Sequence, residues 1–563
     1  MKSTGKTHIA HLVDIAVQHG LRKVVVSPGS RNAPLVIALD LHPKIEIFLV
    51  HDERSAGFMA LGMAEESGEP VAITCTSGSA PANYTPAITE AYYRQIPLMV
   101  WTADRPSSLI DQGDGQTIRQ NGMFSNFIKA EFQLPDEPKG HQIKLSDELV
   151  NHAFHEVMQV PKGPVHINIP LAEPLYELSN EPIQPLYNSL QIKKNGLSKE
   201  EQLHIKKTWA QAEKKLIIIG QMPSGYLTIE KWQPILADPS VAILVENTAN
   251  FIHFERFCHT IDRTLALIQP NEVEKYRPDL LVSMGGAIIS KRIKSFFRQH
   301  KPKWNWRIGH YHFEEDTYQS LTRFFHTHPN ELIACIGQEE IMPLSNFGSQ
   351  WKQLDFVSAD RMEGYLLNAP FSDLKAFELI LDTIPDGANI HMGNSSVVRY
   401  CQLFNPVRGM RYYSNRGVSG IDGSSSTALG IALESPNRLN VLISGDISFL
   451  YDSNALWNHY LPSNFRMIVI NNGGGGIFKI IDGPKSTAQL DYFFAETEVD
   501  LKSLCAAYSL DHMAVKNEDE FLLACSSFYN DSNERPIILE VQTKGNENED
   551  VLSAYFRALN SSN

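Results

Sequence analysis

Hydrophobic and polar positions alternate along the chain between short apolar runs and amphipathic stretches. In the first 180 residues "RKVVVSPGS" (22–30) predicts a strand entering a Gly turn, and "NAPLVIALDLH" (32–42) a helix. "KIEIFLVHDE" (44–53) is again a strand, and "RSAGFMALGMAEESG" (54–68) a helix closed by Gly. "PVAITCTSGSA" (70–80) gives a strand and turn, and "PLMVWTADRP" (97–106) closes the series. Strands alternating with helices imply a parallel sheet covered on both faces. Residues 170–196, rich in Pro and polar positions and weakly periodic, read as a linker.

A second unit of the same kind runs over 197–345, with strands at "KLIIIG" (215–220), "VAILVE" (241–246) and "DLLVSMGG" (279–286). A less regular stretch to about 370 leads into a third, whose strands are "ANIHMGNSS", "NVLISGD", "RMIVINN" and "PIILEVQ". The expectation is an α/β protein with three consecutive domains on central parallel sheets, over 1–180, 197–345 and 370–563. The first and third can share a fold. The tail from Thr543 starts polar and ends in a short amphipathic helix.

Composition narrows the function classes. At 563 residues the chain exceeds one core, and roughly two to four domains is the prior. A net charge of −14 lacks the basic footprint of a nucleic-acid binder, so an anionic substrate must be collected by local Arg and Lys clusters. The 6 Cys are scattered without a CxxC, which indicates neither a disulfide framework nor a zinc site. With no signal-type leader and no run of roughly 18 apolar residues, no membrane span and a cytoplasmic location are expected.

Candidate chemistry begins at "SGDISFLYDSNAL" (444–456), where an apolar strand delivers Asp446 directly behind Gly445. "MIVINNGGGGIF" (467–478) repeats the pattern and ends in Asn472 and a glycine run. Asp446 and Asn472 are 26 residues apart, about the length of a strand–helix–strand unit. The two side chains are therefore expected side by side at the C-terminal ends of neighbouring parallel strands, where α/β sheets collect ligands. A carboxylate, a carboxamide oxygen and a backbone carbonyl, most simply that of Gly474, make an oxygen set for Mg²⁺ or Mn²⁺ shared with a diphosphate. The glycines allow close backbone approach to phosphate. The competing reading is a helix N-cap at Asp446 and a flexible turn at 472–476.

The pair resembles the Gly-Asp-Gly…Asn-Asn motif of thiamine-diphosphate-dependent enzymes, with Ile447 where a second Gly is usual. The resemblance implies thiamine diphosphate with Mg²⁺ or Mn²⁺, bound by Gly445, Asp446 and Asn472. It places Glu53 at the position of the catalytic glutamate that drives the cofactor's aminopyrimidine toward its imino tautomer. A surface N-cap is the alternative for Glu53. Ile421 matches the apolar wedge between the cofactor's rings, with core packing as its alternative. Phe478 lines the same pocket. His51 is expected to be structural or a hydrogen-bonding neighbour. Because the family joins the pyrimidine-binding domain of one subunit to the diphosphate-binding domain of another, a homodimer or homotetramer with active sites between subunits follows from the resemblance.

Further phrases narrow it across the whole chain: "VSPGSRNAPL" (26–35), "HDERSAGF" (51–58), "TSGSAPANY" (76–84), "TADRP" (102–106), "DQGDGQTIRQ" (111–120), "ISKRI" (289–293), "GNSSVVR" (393–399) and "SNRGVSGIDG" (414–423). They resemble the branch of the family that serves menaquinone biosynthesis. That branch decarboxylates 2-oxoglutarate and adds the resulting carbanion equivalent to isochorismate. Both substrates are dicarboxylates, which suit the bidentate fork of Arg. The matching positions are Arg31, Arg105, Lys291, Arg292, Arg399 and Arg416, with Ser30, Gln116 and Ser395 as hydrogen-bonding partners. Ordinary ion pairs are the alternative for each Arg, and a solvated basic helix for Lys291 and Arg292. An acetolactate synthase type and a non-catalytic sensor are the rival functions. No flavin is expected, since "SMGGAII" is a poor nucleotide loop.

Overall fold

A computed structural model describes residues 2–189, 196–337, 344–480, 483, 486–530, 535–545 and 547–560. Three six-stranded, all-parallel sheets carry the architecture. The first contains β1 (Lys23–Val26), β2 (Glu46–Leu49), β3 (Val71–Cys75), β4 (Leu98–Asp104), β5 (Ala130–Gln133) and β6 (Val165–Pro170), in the order β2-β1-β3-β4-β6-β5. The second contains β7 (Lys215–Ile219), β8 (Val241–Val245), β9 (Phe257–Cys258), β10 (Leu280–Met284), β11 (Trp304–Ile308) and β12 (Arg323–Phe325), in the order β9-β8-β7-β10-β11-β12. The third contains β13 (Asn389–Met392), β14 (Arg411–Tyr413), β15 (Asn440–Gly445), β16 (Phe465–Asn471), β17 (Asp511–Val515) and β18 (Ile537–Gln542), in the order β14-β13-β15-β16-β18-β17. The first and third sheets thus share one strand order and the second has another.

Central strands such as β3, β4, β6, β8 and β10 are buried at every position, as a sheet covered on both faces requires. Each fully buried Val, Ile or Leu in them contributes about 1.5–3 kcal/mol of transfer free energy. Two strands of the first sheet lie beyond the segment that closes the predicted series. One of them, "VHINIP" in β6, interrupts its apolar run with His166 and Asn168. Both are buried and paired: His166 Nδ1 meets Glu131 at 2.9 Å, and Asn168 Nδ2 donates to Asp104 at 2.8 Å.

The stretch read as irregular before 370 is a 20-residue helix, Phe347–Leu366. Its buried positions Trp351, Asp355, Ser358, Met362 and Leu366 keep helical spacing, but two of them are polar, which hides the period. Within the predicted linker Leu178–Ser179 pairs antiparallel with Ser3–Thr4, and 190–195 lie outside the described residues. The tail forms the helix Asn548–Asn560.

The chain divides into two compact units. One consists of 1–193 with 415–437 and 451–462, the other of 194–414 with 438–450 and 463–563. The first sheet lies in the former, and the second and third sheets in the latter. No helix among the described residues is long and apolar enough to cross a membrane.

Candidate active site

In the first unit β2 ends at Leu49 and a helix begins at Glu53, running to Ser67, where Gly68 stops it in the left-handed region. Asp52 is the N-cap, its carboxylate accepting from the Ser55 N–H at 3.1 Å. The capping task therefore falls to Asp52, which leaves the Glu53 carboxylate to Asn83, whose Nδ2 donates to it at 3.1 Å. Glu53 lines a cavity of about 550 Å³ together with His51, Arg54, Asn83, Tyr451, Asn454 and Trp457. His51 stacks on Trp457 with ring centroids 5.4 Å apart, and Arg54 lies 4.7 Å over the Tyr451 ring. Asn454 donates to Asp52, tying the helix start to the segment after Tyr451.

The same unit gathers part of the predicted cation set. Arg31 is buried, donating to the Leu171 carbonyl at 2.8 Å and lying 3.3 Å from Glu173. Burial, and next the neighbouring Arg105, hold its pKa below the usual guanidinium range. The Nε atoms of Arg31 and Arg105 have no hydrogen-bond partner among the described residues. Two adjacent guanidinium groups with unused donors suit an anion. Arg105 also donates to the Gly115 carbonyl at 3.2 Å, next to Gln116, which has a φ of +57°. Ser30 is exposed, Ile421 half-buried and Arg416 buried. The turn after Arg416 is held by Glu90, which accepts from the Gly417 and Val418 N–H groups at 2.8 Å each.

In the second unit β15 and β16 are adjacent and parallel, with Gly445 opposite Ile470. The adjacent strand ends accordingly bring Asp446 against the turn that begins at Asn472. Asp446 Oδ2 accepts from the N–H groups of Gly473 at 3.0 Å and Gly474 at 2.9 Å, and its Oδ1 accepts from Ile447 at 2.7 Å. Gly473 and Gly474 have φ of +83° and +154°, and a Cβ on Gly474 would lie 2.7 Å from the Phe494 carbonyl. Burial pushes the Asp446 carboxyl up to about 6 against these N–H groups. A cation beside it would favour the ionised form. Asn472 is 8 % exposed, and its Oδ1 has no hydrogen-bond partner among the described residues. An orphaned buried acceptor beside a buried carboxylate fits a hard cation. The Gly474 carbonyl accepts from Gly476 at 2.9 Å, which leaves it one lone pair.

The remaining predicted residues of this unit lie on or at the start of three helices. Lys291 and Arg292 are exposed at the start of Lys291–Gln299, which Ser290 caps by accepting from Ile293 at 3.0 Å. Arg292 also sits 4.0 Å over the Phe556 ring. Ser395, with a φ of +72°, precedes the short helix Ser396–Cys401 and accepts from Arg399 through its carbonyl. Burial lowers the Arg399 pKa, and Asp262 opposes that shift. Phe478 is half-buried and packs on Phe493 at 5.8 Å. Asn83, Asn454 and Trp457 around Glu53 were not singled out from sequence. Asn83 stands inside the phrase 76–84, whereas Trp457 follows the phrase 444–456 with no pattern of its own.

Residues 6–123 match the family described as thiamine pyrophosphate enzyme, N-terminal TPP binding domain. Residues 392–541 match thiamine pyrophosphate enzyme, C-terminal TPP binding domain. These two matches, one beginning in the first sheet's region and one over the third sheet, define the class, a thiamine pyrophosphate enzyme. Over 98 % of its length the chain is 40 % identical to 2-succinyl-5-enolpyruvyl-6-hydroxy-3-cyclohexene-1-carboxylate synthase of Christiangramia forsetii, with 98 % of that protein covered. The proteins of the same name from Flavobacterium johnsoniae (38 %, covering 97 % of this chain and 98 % of the relative) and Porphyromonas gingivalis (37 %, covering 98 % and 97 %) are similar throughout. The chain belongs to the 2-succinyl-5-enolpyruvyl-6-hydroxy-3-cyclohexene-1-carboxylate synthase family.

Proposed function

We propose that the protein decarboxylates 2-oxoglutarate and adds the remaining succinyl unit in conjugate fashion to isochorismate, releasing CO₂, in menaquinone biosynthesis. Bound thiamine diphosphate supplies the carbon nucleophile and electron sink that this exchange of a C–CO₂ bond for a C–C bond requires. Glu53 holds a proton at the pyrimidine nitrogen N1′, with Asn83 fixing the carboxylate. Asp446, Asn472 and the Gly474 carbonyl hold Mg²⁺ or Mn²⁺ against the diphosphate, with Gly445 leaving room behind it. Ile421 and Phe478 shape the cofactor pocket. Arg31, Arg105, Lys291, Arg292, Arg399 and Arg416 neutralise the substrate carboxylates, and Ser30, Gln116 and Ser395 orient them. The left-handed backbone at Gln116 and Ser395 supports a functional constraint at both, since such strain persists where the surroundings over-determine it. The enzyme acts in the cytoplasm as a homodimer or a dimer of dimers.

The observation that carries the cofactor reading is the Asp446–Asn472 pair at adjacent strand ends, with the Asn472 oxygen unused. The names of relatives similar over the full length carry the substrates. Purified protein with thiamine diphosphate, Mg²⁺, 2-oxoglutarate and isochorismate should give a product whose mass equals both substrates minus CO₂. Omitting isochorismate should abolish that product, and turnover of pyruvate alone would point instead to an acetolactate synthase type. Glu53→Gln should lower turnover about 10²–10⁴-fold while cofactor binding survives. A variant that keeps full turnover would remove Glu53 from the catalytic role.

A further inference from the structure

We propose that Asp373 is a positioning residue that fixes which end of the Asn472 carboxamide faces Asp446. The inference rests on the reading of Asn472 as a cation ligand. Asp373 opens the helix Asp373–Thr383 and is 2 % exposed. Its Oδ2 accepts from Asn472 Nδ2 at 2.9 Å, and its Oδ1 accepts from the Thr543 hydroxyl. Its own backbone N–H donates to Asn548 Oδ1 at 2.8 Å, which anchors it to the C-terminal helix. Each carboxylate oxygen therefore has a donor, and neither hydrogen-bonds to Asp446, although the Asp373 charge acts on the Asp446 carboxyl.

An ionised carboxylate only accepts, so it can face only the NH₂ end of a neighbouring amide. Turning the Asn472 amide over would set oxygen against oxygen at Asp373 and present NH₂ hydrogens toward Asp446, where they would repel a cation. Packing narrows the remaining freedom. A Cβ on Gly476 would lie 2.8 Å from Asn472 Nδ2, so the chain there closes on the amide, and one on Gly545 would lie 2.3 Å from the backbone carbonyl oxygen of Asn472, which holds its main chain. The Asn472 oxygen is thus aimed before any ion arrives, and that is the acceptor left without a partner. Residues that orient metal ligands in this way typically set about 10–100-fold in metal affinity.

The test is a Mg²⁺ titration, by calorimetry at saturating thiamine diphosphate, of the full-length protein and its variants. Asp373→Asn can present either end of its own amide to Asn472, so Mg²⁺ affinity should fall by about 10–100-fold. The double variant Asp373→Asn/Asn472→Asp should recover it, because a carboxylate at 472 offers oxygen on both sides and accepts from the new amide. Asp446→Ala and Asn472→Ala test the underlying reading. If both keep the wild-type Mg²⁺ affinity, the cation assignment itself fails. If they lose it while folded Asp373→Asn stays within about twofold of wild type, the positioning role is overturned and the cation assignment stands. Should Asp373→Asn not fold, the double variant decides. Near-wild-type Mg²⁺ affinity supports the role, and a tenfold loss in a folded protein overturns it.

Discussion

Glu90 is 1 % exposed and gives its two oxygens to the backbone N–H groups of Gly417 and Val418, directly after Arg416. Glu90→Gln replaces one acceptor by a donor facing a donor, leaving a buried N–H unpaired at a cost of about 1–3 kcal/mol. The calorimetric unfolding midpoint should drop by about 2–4 °C for each kcal/mol lost. His391 carries a different signature. It is buried in β13, its Nε2 3.0 Å from Asn440 Oδ1, and burial holds its pKa down to about 4. Between pH 6.5 and 4 the unfolded chain takes up a proton at this position and the native state does not. Its stabilisation is therefore complete above 6.5 and is lost as the pH falls through that window. The stability gap between wild type and His391→Asn, read from urea unfolding, should change by about 1.4 kcal/mol per pH unit there and stay flat above pH 7. A pH-independent gap would mean that the imidazole titrates normally. The sequence displayed Asp446, Asn472 and Glu53 because each ends a recognisable strand. Glu90, Asn83 and Asp373 were not legible, since each acquires its role only through a partner 30 or more positions away.

Two helices show how far element packing can be read from sequence. The helix Glu53–Ser67 was visible as a small-residue run closed by Gly, but the sequence does not say what lies against it. Ser424–Glu434 does, backbone to backbone. A Cβ on Gly62 would lie 2.1 Å from the Thr427 carbonyl oxygen, and one on Gly430 would lie 2.1 Å from that of Met59. Gly62→Ala or Gly430→Ala must push the helices apart, and overpacking of this kind costs about 1–3 kcal/mol. Gly364, exposed in the helix Phe347–Leu366, has nothing within 4 Å of a built Cβ. Gly364→Ala should instead stabilise by about 0.5–1 kcal/mol through helix propensity. Opposite shifts in thermal midpoint for the same chemical change would confirm that close approach selects glycine at 62 and 430. Equal shifts would refute it. The helix 347–366 itself escaped the pattern reading because Asp355, on its buried face, accepts from Thr260 at 2.9 Å and is satisfied where an apolar residue was expected.

At the scale of the molecule, the proposed site residues divide between the two units. Glu53, Arg31, Arg105, Gln116 and Arg416 belong to one, while Asp446, Asn472, Lys291, Arg292 and Arg399 belong to the other. The strand order shared by the first and third sheets was anticipated only as a possible common fold. It follows from long-range pairing that a single sequence does not display. The proposal that sites form between subunits has a consequence that neither unit has by itself. If one subunit supplies Glu53 and its partner Asp446, a dimer of Glu53→Gln with Asp446→Ala contains one doubly damaged site and one intact site. Random reassembly makes half of the dimers mixed, so about a quarter of all sites should work although each parent is inactive. If one chain supplies both residues to the same site, every site in the mixture carries a lesion, and activity stays at the level of the parents. The two variants are co-refolded or co-expressed with different affinity tags, the doubly tagged species is isolated, and turnover per site is measured. Activity near half of wild type in that species would place the catalytic carboxylate and the cation ligand on different subunits. Activity at the parental level would place them on the same one.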